Sequence, residues 1–267
     1  MFAVPEIKVA EQAGVGLDGR PRPTEDHVVV LDNAVVLLDG ATSPSPDLPP
    51  GGWYAGLLAE ELGRVLRERP ADDLRLLLSD AIAAVAGMHG LHPGASPSST
   101  VALLRWDDER VDGLVLADSP IVAFGQTMDR LADDRLALLR VAGRLGTAAE
   151  VRALRNRPEG FWVAEADPAA ASHALTRSWP RSSLDAVLLA TDGVSVGIDD
   201  YQLFGWPEAL RLAREQGPSA VCDAVRRAEY GDPLGERWPR AKRHDDQALV
   251  LVDFATDVSA HLPAASA

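Results

Sequence analysis

The sequence predicts an α+β fold in which sheets and helix pairs occupy separate layers. Three observations carry that expectation. Short Val- and Leu-rich runs bounded by turn residues come in pairs suited to antiparallel hairpins. Long segments with helical spacing also come in pairs. The two kinds of segment follow one another in blocks, which argues against the regular alternation of βαβ winding. At 267 residues, 46% apolar and 25% charged, the chain has the size and composition of one large domain or two small ones and is not a disordered polymer. Its single cysteine, Cys222, excludes an intramolecular disulfide framework and any cysteine-rich zinc module.

Taken in order, the strand-like runs are residues 6–15, 27–31, 34–38, 100–106, 111–117, 121–124, 186–191 and 248–254. Each is rich in β-branched or aliphatic residues, and all but the last end at Gly or Asp. Between the third and fourth runs, residues 54–69 place Leu57, Leu58, Leu62, Val65 and Leu66 on one helical face, and 72–88 do the same with Leu74, Leu77, Leu78, Ile82 and Val85. Residues 206–230 read as two helices split at Gly217-Pro218. Residues 127–180 differ in composition, being rich in Arg, Ala and acids. They carry helical stretches near 133–139 and 148–155 and read as a subregion inserted between sheet strands. The Pro/Ser/Gly-rich loops 43–52 and 92–99 are expected to be mobile, as is the tail 255–267. The expected organisation is one domain over residues 1–254.

Net charge is −14, from 26 basic and 40 acidic residues. With no basic run, such a chain repels nucleic acid and anionic lipid, so neither is an expected partner. No apolar run approaches the ~18 residues of a membrane span, and the first residues lack the basic start and apolar stretch of a signal peptide. The expected location is the cytoplasm.

The acids fall at strand ends. Asp32-Asn33 suits a two-residue hairpin turn. If Leu31 pairs with Ala34, Asp26 lies opposite Asp39, about 5 Å away across the ladder. Like charges so placed destabilise the pair unless a cation lies between them, although acids also cap exposed strand ends with no further purpose. Asp118 follows the run 111–117, Asp192 follows 186–191, and Asp245-Asp246 precede 248–254. An acid after one strand and an acid before another meet when the strands are antiparallel neighbours. Oxygen donors without Cys select hard cations, Mg²⁺ or Mn²⁺.

In their order these residues resemble the metal-dependent Ser/Thr protein phosphatases of type 2C, the PPM family. The stretches that carry the resemblance are Thr24-Glu25-Asp26, Leu38-Asp39-Gly40, Ser98-Ser99-Thr100, Ala117-Asp118-Ser119, Thr191-Asp192-Gly193 and Asp245-Asp246-Gln247. Each is short, but six stand in order, and the resemblance covers residues 6–254. The resemblance implies a four-layer α/β/β/α sandwich, two mainly antiparallel sheets flanked by helix pairs, with two Mn²⁺ or Mg²⁺ ions at one end and a third, looser one. It implies that Asp39 bridges both ions, that Asp192 and Asp246 complete one site, and that Glu25 and the Gly40 carbonyl serve the other. Asp26 holds metal-associated water, Asp118 matches the acid of the third ion, and residues 127–180 form a flap. The implied activity is hydrolysis of a phosphorylated protein, or of a small phosphorylated metabolite, by a monomer through a bridging hydroxide.

The chain departs from the family pattern in several places. A Gly-Gly pair is expected after Gly40, where Ala41-Thr42 stand, Ala117 replaces a Gly, and Gln247 replaces an Asn. The phosphate-binding Arg position holds Pro21, with Arg20 and Arg22 on either side as the groups to steer phosphate. The excess of Arg over Lys, 24 to 2, fits a divergent member from a high-GC bacterium.

Two other readings belong to different classes. A phosphatase fold that binds partners but turns over poorly is favoured by the altered loop after Gly40 and the displaced Arg, and opposed by the intact acids. Gly193-Val194-Ser195-Val196-Gly197 matches Gly-x-Ser-x-Gly, the nucleophile elbow of an α/β-hydrolase, but no suitably ordered His follows. A cysteine phosphatase fails because the position its Arg needs after Cys222 is Ala228, and Cys222 reads as a core thiol. His244 is weighed as a general acid against a solvated loop residue, and Phe161-Trp162 as a substrate groove against core.

Overall fold

Strand β2 (Asp26–Val30) and strand β3 (Ala34–Asp39) form the hairpin on which the site depends, and they take the register that the Asp32-Asn33 turn requires. Asp26 pairs with Asp39 and Val30 with Val35, and the Leu31 N–H donates to the Ala34 carbonyl at 2.8 Å. The computed structural model describes residues 4–41, 48–240 and 242–255. Before this hairpin lies β1 (Glu6–Gln12), and after it come helices α1 (Gly51–Glu68) and α2 (Leu74–His89). Then follow β4 (Val101–Trp106), β5 (Arg110–Leu116), β6 (Ile121–Gly125), β7 (Met128–Leu131), α3 (Arg135–Val141), α4 (Ala148–Leu154), β8 (Leu175–Pro180) and β9 (Leu184–Ala190). Helices α5 (Asp192–Asp199), α6 (Trp206–Gln216) and α7 (Pro218–Tyr230) precede the last strand, β10 (Gln247–Asp253).

Among the described residues the strands make two five-stranded antiparallel sheets, in the orders β1-β10-β9-β6-β7 and β2-β3-β4-β5-β8. Successive residues of one strand serve different cores because side chains alternate across the sheet. Val35 and Leu37 point between the sheets, with Leu104, Val187, Leu189 and Val250. Val36 and Leu38 face Leu58, Leu62, Leu78 and Ile82 of α1 and α2. On the far side Leu188, Leu249 and Leu251 meet Ala209, Val221 and Cys222 of α6 and α7. Strands covered on both faces read as unbroken apolar runs. The result is the expected four-layer α/β/β/α sandwich.

Several details differ from the sequence expectation. The stretch 127–180 supplies an edge strand to each sheet, β7 and β8, where only helices were expected. β8 is mostly exposed and ends in Pro180, as suits a sheet edge, so it carries no apolar alternation. The loop 92–99 is not free. Ser96, Ser98 and Ser99 are buried, the Ser96 hydroxyl accepts from the Ala166 N–H at 3.0 Å, and Ser99 bridges Gly40 and Ala164. Residues 43–47 of the other expected loop, and 256–267 of the tail, lie outside the described residues. Cys222 is fully buried, and burial pushes its thiol up to about 12, so it is a core residue. Phe161 and Trp162 are also buried, Trp162 stacking on His173 at 3.4 Å between ring centroids. They are core and not groove.

Ala117 takes φ 69, a left-handed conformation that costs an L-residue about 1–2 kcal/mol. It turns the chain from β5 toward Asp118 at the position where the resemblance expects Gly. Ala117→Gly removes that strain but loses a buried methyl and adds unfolded-state entropy. The net change in unfolding free energy is expected to stay within about 1 kcal/mol of zero, read by denaturant melts. Ala117→Val is expected to destabilise by at least about 2 kcal/mol, because a β-branched residue tolerates positive φ poorly.

Candidate metal centre

Strand ends from both sheets bring the acids together. Asp26 and Asp39 oppose each other across β2 and β3. In the other sheet β9 and β10 are antiparallel neighbours, so Asp192, just after β9, meets Asp245 and Asp246, just before β10. Thr191 ties the two sheets at this point. Its hydroxyl donates to Asp26 Oδ2 at 3.0 Å and accepts from the Ala248 N–H at 2.9 Å. Gln247, in place of the expected Asn, donates to the Gly193 carbonyl at 2.8 Å and fixes the start of α5 beside β10.

The backbone around Asp39 is braced by the Ser-Thr stretch at the start of β4. The Asp39 N–H donates to Thr100 Oγ1 at 3.1 Å, the Ser99 hydroxyl donates to the Asp39 carbonyl at 2.9 Å, and Thr100 Oγ1 lies 2.7 Å from Ser119 Oγ. Gly40 sits backbone to backbone against Gly51 and Gly52, where a Cβ would overlap the Gly51 carbonyl carbon. A glycine pair does pack against Gly40, but it is Gly51-Gly52 at the start of α1 and not the two residues that follow Gly40. Glu25 Oε1 accepts from the Gly52 N–H at 3.4 Å, near the positive end of the 18-residue helix α1.

Crowding of carboxylates sets the electrostatics. Burial, and then Asp192, Asp26, Asp245 and Asp246, hold the Asp39 carboxyl well above the usual range. Burial and Asp246 do the same for Asp26, against the hydrogen bond from Thr191. Burial and Asp192 push Asp245 up to about 8 and Asp118 up to about 6. Asp246 alone goes down. Burial works upward on it, but its hydrogen bond with Asp245, Lys242 and the Glu25 N–H outweigh burial.

Lys242 enters the cluster as its cation. Its Nζ lies 2.5 Å from Asp245 Oδ1, 3.1 Å from Asp246 Oδ1 and 3.9 Å from Glu25 Oε2. Those carboxylates hold its proton more tightly than usual, although burial opposes them. Asp246 Oδ2 accepts the Glu25 N–H at 2.6 Å. Neither Lys242 nor Asp245 was among the expected site residues. The Asp245-Asp246 pair was visible in the sequence, but which acid faces the cluster depends on the start of β10. No periodic pattern placed Lys242.

The cluster opens onto a cavity of about 290 Å³ whose lining includes Arg140, Asp192, Gly193, Lys242 and Asp245. A neighbouring cleft of about 100 Å³ joins Asp118, Arg140, Asp192 and Ser195. Arg140, at the end of α3, lies 3.4 Å from Asp118. A third cleft, of about 400 Å³, is lined by Arg105, Arg110, Asp112 and Arg177 and contains none of these acids. Arg20 is 85% exposed in its side chain and 4.0 Å from Asp18. Arg22 is exposed and lies over Gly16, and neither lines the 290 Å³ cavity.

The α/β-hydrolase alternative fails on geometry as well, and one expectation, for His244, is corrected. Ser195 lies inside helix α5, not on a strand-to-helix elbow, and antiparallel sheets are not the parallel sheet of an α/β-hydrolase. His244 is neither solvated nor aimed at substrate. It is 1% exposed, with Nδ1 2.8 Å from Glu229 Oε2 and its ring against Tyr230.

The donor set fits a hard divalent cation. It is all oxygen, and buried Asp26 Oδ1 has no hydrogen-bond partner among the described residues. Among those residues, no group of three or more His, Cys, Asp and Glu side chains is assembled to hold an ion as it stands.

Two five-stranded antiparallel sheets between helix layers give this chain the fold of the PPM-type Ser/Thr phosphatases. Solved structures bear this out. The catalytic domain of the Ser/Thr phosphatase PstP in complex with two manganese ions is 17% identical, with 94% of this chain and 98% of that chain covered at a TM-score of 0.59. The PPM Ser/Thr phosphatase MsPP from Mycobacterium smegmatis, in complex with cacodylate, is 16% identical over 94% and 99% at 0.59. PppA, a key regulatory component of T6SS in Pseudomonas aeruginosa, is 18% identical over 94% and 99% at 0.59. No protein-family model and no curated protein matches the sequence. Among the described residues, no helix is long and apolar enough to cross a membrane.

Proposed function

We propose that this chain is a metal-dependent phosphomonoester hydrolase, a divergent type 2C protein phosphatase that acts on phosphoserine and phosphothreonine as a cytoplasmic monomer. The observation that carries the reading is the convergence of Asp26, Asp39, Asp192, Asp245 and Asp246 from two sheets at one end of the sandwich. Glu25, Asp39, the Gly40 carbonyl, Asp192 and Asp246 are the groups that would hold two Mn²⁺ or Mg²⁺ ions, and Asp118 a third. Such ions, when bound, neutralise phosphoryl oxygens and make water acidic enough to hydrolyse an ester at neutral pH.

The remaining work falls to the chain's own groups. Thr191 fixes Asp26 Oδ2, which leaves Oδ1 to accept a proton from water and orient it. Arg140, half exposed on the cavity rim, is placed to take phosphate oxygens by a forked contact, with Arg20 and Arg22 as the alternatives on the other loop. Of the stretch 127–180, the part between the edge strands β7 and β8 acts as the flap of a single domain over 1–254. Exposed Leu138 and Val141 of α3 offer apolar contact to the chain around a phosphorylated residue, which favours a protein over a small metabolite.

The test is hydrolysis of p-nitrophenyl phosphate with Mn²⁺, with EDTA, and by the Asp192→Asn variant. Turnover is expected to need Mn²⁺ and to fall at least about 100-fold in the variant. Turnover that survives EDTA or the substitution would overturn the assignment. A second reading, a phosphatase fold that binds without efficient turnover, is favoured by Lys242 sitting where a cation is needed. Folded protein that binds Mn²⁺ but leaves the ester intact would select it.

A further inference from the structure

Lys242 stands among carboxylates that a metal-dependent site would give to a divalent ion. Asp246, a ligand carried over from the resemblance, has both carboxylate oxygens engaged: Oδ1 with Lys242 Nζ at 3.1 Å and Oδ2 with the Glu25 N–H at 2.6 Å. Asp245 Oδ1 is engaged twice, by Lys242 at 2.5 Å and by the Asp246 N–H at 3.0 Å. Arg226, another nearby cation, reaches the Asp245 carbonyl and the Gln247 side chain, not the carboxylates. The acids at this end are gathered around an ammonium, not around an open point, which agrees with the lack of an assembled three-donor group among the described residues.

The residue type matters. Of 26 basic residues only Lys8 and Lys242 are lysines. An ammonium is a compact point charge on a flexible stem, whereas guanidinium is a rigid planar fork. Of the two, only the ammonium can stand where a small ion stands and then swing away. It also has somewhere to go, because its side chain lines the 290 Å³ cavity.

We infer that Lys242 is a tethered cation that occupies the Glu25–Asp245–Asp246 end of the acid cluster and competes with a divalent ion for it. The inference rests on the metal-dependent reading and adds a regulation to that site. The protein is held together without metal by its own ammonium, and loading requires the side chain to leave.

The experiment is calorimetric titration of Mn²⁺ into the wild type and Lys242→Gln at one pH and salt, with melting temperatures of both in EDTA. Lys242→Gln is expected to bind Mn²⁺ at least tenfold more tightly and to melt lower in EDTA, since like charges are left unopposed. If it binds Mn²⁺ no more tightly than a wild type that does bind, the competition is overturned while the metal reading stands. Binding by neither folded protein would overturn the metal reading and the competition together, and the wild-type titration alone distinguishes that case. Should Lys242→Gln be unfolded in EDTA, refolding at Mn²⁺ concentrations below the wild-type Kd supports the inference and failure to refold overturns it.

Discussion

Asp39→Asn is expected to cut Mn²⁺-dependent hydrolysis at least about 1,000-fold and, in the metal-free protein, to raise the melting temperature. The two effects share one cause. Asp39 lies directly across the ladder from Asp26 and is further charged against by Asp192, Asp245 and Asp246. Without a cation its negative charge opposes folding, and Asn removes the charge while keeping the shape. The backbone should not move, because Thr100, Ser99 and the Gly51-Gly52 contact hold it independently of the carboxylate. Relief of about 1–2 kcal/mol corresponds to a few degrees in a chain of this size. A buried acid that served only the fold would behave oppositely, since loss of a needed buried partner lowers stability. Calorimetry in EDTA together with p-nitrophenyl phosphate assays in Mn²⁺ checks both halves. A lower melting temperature with retained turnover would remove Asp39 from the site.

That variant also marks how far the sequence alone reaches. The Asp26–Asp39 pairing was legible because a two-residue turn fixes hairpin register and because apolar residues run unbroken on both arms. The meeting of Asp192 with Asp245-Asp246 was legible as an alternative that only strand adjacency could decide. The edge strands β7 and β8 were not legible, because a half-exposed strand whose Arg and Ser face water leaves no alternation to read. Gly51-Gly52 were hidden for another reason. They touch Gly40 in space, but residues 41–50 separate them from it along the chain. Lys242 and His244 lie in the irregular approach to β10, where no period exists, so neither the cation in the acid cluster nor the buried His244–Glu229 pair left a signal. What sequence reasoning retrieves here is whatever a hydrogen-bonded ladder transmits. What it misses is set by loops that fold back onto that ladder.

In EDTA the melting temperature is expected to fall as pH rises from about 6.5 to 8, and saturating Mn²⁺ is expected to flatten or reverse that slope. A carboxyl whose folded pKa is raised contributes stability that is complete below its unfolded value, near 4, and is lost as pH rises through the folded one. Asp118, pushed up to about 6 by burial and Asp192, has lost its share by the start of this window. Asp245, pushed up to about 8 by burial and Asp192 against the pull of Lys242, loses its share across it. Asp26 and Asp39 are shifted in the same direction. His244 has the opposite sign. Burial lowers its pKa, so it costs stability only as pH falls below its unfolded 6.5, which is why the window starts there. Lys242 stays charged throughout. The coupled acids do not add, so the loss is on the order of 2–3 kcal/mol, or several degrees. A divalent ion binds the deprotonated carboxylates and contributes about 2.7 kcal/mol at 100 times its Kd, so the gap between the EDTA and Mn²⁺ curves should widen as pH rises. Asp245→Asn is expected to shrink the EDTA slope, because it removes the acid that titrates in that window. A melting temperature that climbs with pH in EDTA would mean that folding favours the charged carboxylates, which would overturn the mutual repulsion on which these upward shifts rest.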